Sequence, residues 1–159
     1  MGEKWLIVGV GNPDRGDDGV GPAVAASLRG RLSDTVQIRA HGGEMTTLLD
    51  DLERAEAVIL VDAAASGSAP GGIHRFTAHD APLPETVFAV STHGFGVSQA
   101  IEMARALGTL PAVCVVYAVE GQQFETGCGL SAPVAAAVPE VSERIVTELE
   151  ARAPEVGHA

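Results

Sequence analysis

Acidic side chains crowd a glycine-rich segment near the start of the sequence, Gly9-Val10-Gly11-Asn12-Pro13-Asp14-Arg15-Gly16-Asp17-Asp18-Gly19-Val20-Gly21. Two other places carry groups with similar potential: Asp62, which closes the apolar run Ala57-Val58-Ile59-Leu60-Val61, and His93 in Ser91-Thr92-His93-Gly94. Asp18, Asp62 and His93 together offer two carboxylates and an imidazole. Such an O,O,N set suits a borderline divalent ion such as nickel, zinc, manganese or iron, and three protein ligands leave positions open for a ligand brought by a substrate. Each residue also has a plainer reading. Asp17 or Asp18 fits a helix cap, Asp62 a loop-former at a strand end, and a histidine beside glycine a surface position.

Two other chemistries fit less well. Gly9-Val10-Gly11 follows an apolar run and precedes a helix, as in a dinucleotide-binding turn. The third glycine falls at Gly16 rather than two positions earlier, however, and Asp14, Asp17 and Asp18 would place negative charge where a pyrophosphate needs bare N–H groups. A cation is favoured there. No Ser-His-Asp or Cys-His pairing stands out. Cys114 lies within the apolar run Ala112-Val113-Cys114-Val115-Val116 and reads as a small buried hydrophobe, while Cys128 sits in a Gly-rich loop with nothing nearby to activate it.

These groups must be delivered by the elements that precede them. Residues 5–10 are continuously apolar, the pattern of a strand covered on both faces, and read as a central parallel strand. Val20, Ala23, Val24, Ser27 and Leu28 then recur at helical spacing, with Pro22 in the first turn. Thr35–Ala40 reads as a second strand, Met45, Leu48, Leu49 and Leu52 as a helix after Gly42-Gly43, and Ala57–Val61 as a third, buried strand ending at Asp62. Residues 63–72 are a loop by composition, and Ile73–Thr77 and Thr86–Val90 read as short strands flanking a Pro-bearing loop.

Val97, Ile101, Ala104 and Gly108 trace another helix, and Ala112–Val119 a further strand. Ser131 caps a last helix in which Val134, Val138, Val141, Ile145 and Leu149 share one stripe and Glu140, Glu143, Glu148 and Glu150 form the solvated face. Pro154 ends it. Alternating strands and helices imply an α/β fold: an open, mainly parallel sheet with helices on both faces, in a single domain over residues 1–153 with a frayed tail at 154–159. In such sheets ligands gather at the carboxyl ends of the strands, where all three candidate groups fall.

Composition agrees with a packed domain. The 159 residues are 46% hydrophobic and only 4% aromatic, so the core is built from Val, Ala, Leu and Ile. A formal net charge of -11 would repel a phosphate backbone or an anionic bilayer, which argues against nucleic-acid and membrane partners. Leu6-Ile7-Val8 is too short for a signal-peptide core or a span, so a cytoplasmic location is the expectation.

The stretch Gly9-Val10-Gly11-Asn12 through Asp18-Gly19-Val20-Gly21, the strand-ending Asp62, the His93-Gly94-Phe95-Gly96 turn and Leu130-Ser131-Ala132-Pro133-Val134 resemble the NiFe-hydrogenase maturation endopeptidases. The resemblance covers nearly the whole chain. It implies a three-layer fold with a twisted five-stranded sheet, and a peptidase that removes a C-terminal extension from a hydrogenase large-subunit precursor once nickel is installed. It also implies metal ligands at Asp18, Asp62 and His93, with nickel carried by the precursor and no organic cofactor. Asp62 is then the candidate for a combined ligand and general base, with Asp18 beside it in the catalytic site.

Two departures stand out. The family's first-loop ligand is often Glu, so Asp18 is one methylene shorter. Many relatives place Asp before the Gly-Gly pair where this chain reads His41-Gly42-Gly43-Glu44. Either His41 or Glu44 takes over that carboxylate's part in binding the substrate, or the part is missing. The rival reading is a metal-sensing maturation chaperone with the same ligands and no peptidase activity.

Overall fold

The structure is a computed structural model that describes residues 4–84 and 96–152. The expected strand at Thr86–Val90, the His93 turn and the tail at 154–159 lie outside the described residues. Continuous apolar runs become the interior of the sheet. β1 (Trp5–Val10), β3 (Ala57–Ala64) and β5 (Val113–Glu120) are buried almost throughout, whereas β2 (Val36–His41) and β4 (Ile73–Thr77) keep partial exposure. The reason is position: the five strands run in the order β2-β1-β3-β5-β4, so β2 and β4 are edges. All pairings are parallel except that of β4 with β5.

Helices cover both faces. α1 (Val20–Leu28) and α4 (Ala132–Arg152) pack Val24, Leu28, Val134, Val141 and Ile145 against Ile7, Ile59 and Val115. On the other face α2 (Met45–Arg54) and α3 (Val97–Leu107) bring Leu48, Leu52, Ala100 and Ile101 onto Val8, Val58, Leu60 and Val116. Odd-numbered residues of the central strands face one layer and even-numbered residues the other, as the period of two in a strand requires.

Three expectations need correction. β3 runs to Ala64, so Asp62 is its sixth residue and pairs laterally with Ala118 rather than opening a loop. The last helix has no uniformly solvated acidic face. Glu148 is largely covered, gripped by the Arg75 guanidinium at 2.7 Å and 3.1 Å and by the Tyr117 hydroxyl, which links α4 to β4 and β5. Ser131 does precede α4, but its hydroxyl turns to Asp17.

Glycine is required where α1 meets the sheet. A Cβ on Gly9 would lie 2.1 Å from the Gly21 carbonyl oxygen, and one on Gly21 would lie 2.4 Å from that of Val10. The first turn of α1 therefore rests directly on the backbone of β1, and the connecting loop is drawn tight over the strand end.

Candidate active site

The chain leaves β1 toward β2 and leaves β3 toward the opposite half of the sheet, so the crevice between the ends of these adjacent strands is the switch point of the topology. Asp18 and Asp62 both lie at these strand ends, near enough for the charge of Asp18 to bear on Asp62. Asp18 comes from the short 3-10 turn Gly16–Gly19, and its carboxylate accepts the Asn12 N–H at 2.8 Å, closing the loop on itself. Gly11 permits this closure: its φ is +139°, and a Cβ there would lie 1.9 Å from the Asp18 carbonyl oxygen.

Asp62 accepts the Ala63 N–H at 2.9 Å and shares the sheet face of Val58 and Leu60. The residue keeps some exposed surface, but its carboxyl group lies deep enough that burial pushes its pKa well above the usual carboxylate value. The nearby negative charge of Asp18 pushes the same way, and the Ala63 N–H opposes both. Two carboxylates placed together in a poorly solvated crevice attract a cation or share a proton. His93, the third expected ligand, lies outside the described residues.

Neither Asp17 nor Asp18 caps the helix it precedes. Asp17 has a separate task that its neighbour in sequence does not share. It is fully buried, and its carboxylate accepts the N–H groups of Gln122 at 2.8 Å, Gln123 at 3.0 Å and Ser131 at 2.7 Å, with the Ser131 hydroxyl added. Burial works against the charge, but these donors outweigh it and hold the carboxyl below its ordinary pKa. Gly16 N–H donates to the Cys128 carbonyl at 2.9 Å and Asp17 N–H to that of Gln123 at 2.7 Å. The loop after β5 is thereby locked onto the loop after β1, and Asp18 is held from behind. The adjacent acids Asp17 and Asp18 were the sequence signal for this division of labour.

His41 ends β2, beside the first loop: the Gly11 N–H donates to its carbonyl at 3.0 Å. Its Nε2 lies 2.7 Å from Asp51 Oδ2, and its Nδ1 accepts the Gly43 N–H at 3.1 Å. Both ring nitrogens are therefore engaged within the protein. Asp51 is the residue sequence reasoning missed; it is a buried acid on α2, 1% exposed. Glu44 is exposed at the start of α2.

Cys114 is fully buried, and burial raises its thiol to about 12. Cys128 contributes its carbonyl to the first loop. A groove of about 440 Å³ opens between β4 and α4 around Arg75, Tyr117 and Arg144, but the Glu148 carboxylate already engages Arg75 and Tyr117, and the groove lies away from the acidic crevice.

Known proteins share this architecture. The E. coli hydrogenase maturating endopeptidase HybD superposes with a TM-score of 0.76 at 24% identity, covering 93% of each chain. A hydrogenase 2 maturation peptidase from a Thaumarchaeota archaeon superposes with a TM-score of 0.69 at 26% identity, covering 93% of this chain and 99% of its own. In sequence, the hydrogenase expression/formation protein HupD of Thiocapsa roseopersicina is 24% identical over 91% of this chain, which spans 64% of that relative's length. The model of the HycI hydrogenase maturation protease family matches residues 22–148, most of the chain, from the close-packed start of α1 through the stripe of α4. The chain therefore belongs to the hydrogenase maturation protease family.

Proposed function

We propose that this protein is an endopeptidase that removes the C-terminal extension of a NiFe-hydrogenase large-subunit precursor after nickel insertion. On this reading Asp18, Asp62 and His93 receive the nickel that the precursor carries. Family membership supports the activity class. The observation that supports the site is the carboxylate pair at the switch-point crevice, where burial and, less strongly, the charge of Asp18 raise Asp62. An acidic pair under such strain gains from a cation arriving with the substrate, and a substrate without one meets only repulsion. Cleavage then waits for correct loading.

Peptide hydrolysis needs a water deprotonated as it attacks the scissile carbonyl and a proton returned to the leaving amine. Asp62, at the crevice where the metal would be received, is the group placed to accept the proton from the water and to return it to the leaving amine. Asp18, held by the Asn12 N–H, keeps the negative field that orients the cation. Bound nickel would polarise the carbonyl and stabilise the developing oxyanion.

The test is an in vitro cleavage assay read by intact mass, with precursor made with and without nickel. Nickel-loaded precursor should lose its C-terminal extension, and Asp62→Asn and His93→Gln should fold yet leave it uncut. Rapid trimming of nickel-free precursor would overturn the gating, and full activity of both variants would remove these residues from the site. Binding of the loaded precursor without any mass loss would identify a metal-sensing chaperone instead.

A further inference from the structure

The His41 ring is fixed from two sides. Because Nδ1 accepts the Gly43 N–H, the proton of the neutral ring lies on Nε2 and is donated to Asp51 at 2.7 Å. The other oxygen of Asp51 faces the Arg39 guanidinium at 2.8 Å, off the line of a hydrogen bond. A carboxylate buried this completely is retained only where its partners compensate its desolvation.

What the pair holds in place is a turn beside the acidic crevice. The His41 carbonyl accepts from Gly11, one residue before the Asn12 N–H that binds Asp18. Gly43, at φ +87°, lies so close to β1 that a Cβ would sit 2.8 Å from Val10 Cγ1. Gly42 by contrast is exposed, with open space where a side chain would be.

We propose that Asp51 is a positioning residue: through the His41 ring it holds the Gly42-Gly43-Glu44 turn as a fixed backbone platform for the extended peptide of the precursor. This rests on the cleavage reading above. With both of its nitrogens committed, His41 acts through the turn it braces rather than as a metal ligand. Asp51 touches neither substrate nor the reacting atoms. Its effect is on how well the peptide is seated, which appears in KM.

Two measurements test this. Nitrogen-15 NMR of the histidine rings in the wild-type protein should show His41 as the Nε2–H form, and Asp51→Asn should shift its ring signals. In cleavage of nickel-loaded precursor, Asp51→Asn and His41→Ala should each raise KM on the order of tenfold with kcat little changed, as expected when binding common to the ground and transition states is lost. The double variant should be no worse than either single one, because both remove the same brace. A merely stabilising role for Asp51 would lower the melting temperature and leave KM alone. The inference is overturned if His41 carries its proton on Nδ1, if KM is unchanged in Asp51→Asn, or if the two substitutions add independently. Failure of the wild-type protein to cut loaded precursor would refute the cleavage reading instead, and the NMR result would still decide the Asp51–His41 pair.

Discussion

Replacing Asp17 with asparagine keeps the shape of the side chain and removes one acceptor oxygen and the charge. Oδ2 serves the Gln122 and Gln123 N–H groups and Oδ1 serves the Ser131 N–H, so the amide oxygen can satisfy only one side. The less costly placement keeps both glutamine contacts and turns the new NH2 toward Ser131. One buried N–H then loses its acceptor, at about 1–3 kcal/mol, and the remaining two fall from charge-assisted to neutral bonds, adding about 1 kcal/mol. The sum is about 2–4 kcal/mol, which lowers the melting temperature of a chain this size by about 4–16 °C. The Asp17 carboxyl is held below its ordinary value in the folded protein, so its contribution is complete above pH 3.8 and is lost as the pH falls through the lowered folded value. Thermal melts of wild type and Asp17→Asn should therefore differ by a constant amount near neutrality and converge only in strong acid. A shift below about 2 °C at pH 7 would refute the account of Asp17 as the anchor of the first loop.

Other outcomes follow from the same geometry. The Asp62 carboxyl is raised, so the folded protein without bound metal binds more protons there than the unfolded chain and loses stability as the pH rises through the folded value; Asp62→Asn should melt higher than wild type at pH 7, and an equal or lower melting temperature would contradict this. Gly21→Ala forces a Cβ to within 2.5 Å of the Val61 carbonyl and should cost on the order of 3 kcal/mol in a urea titration, whereas an unchanged midpoint would mean that α1 does not rest on the sheet as described. His41→Ala should leave nickel affinity, measured by calorimetry, within about tenfold of wild type. Loss of all metal binding in that variant would place His41 among the ligands.

The sheet was legible because its central strands are nearly uninterrupted apolar runs, and burial on both faces permits nothing else at β1, β3 and β5. Asp18 and Asp62 were legible because glycine spacing and strand ends fix where a chain can deliver polar groups. What the sequence concealed depends on partners far away in the chain. Glu148 reads as solvated until Arg75 and Tyr117 are seen to reach it. Asp17 and Asp18 are chemically identical neighbours, and only the 3-10 turn sends one into the interior and the other to the crevice. His41 and Asp51 are ten positions apart across a strand-to-helix turn, a spacing that no helical or strand period brings together.

The bonds made by Asp17 also impose an order on the birth of the protein. Its partners lie 105 to 114 positions farther along the chain, so the first loop lacks this anchor until the ribosome has released the segment through Ser131. Loop closure over such a span is entropically costly and is completed only as the last strand and helix dock. An emerging chain therefore carries its first loop without this anchor through most of synthesis, and the acidic crevice takes its final shape only with the finished fold.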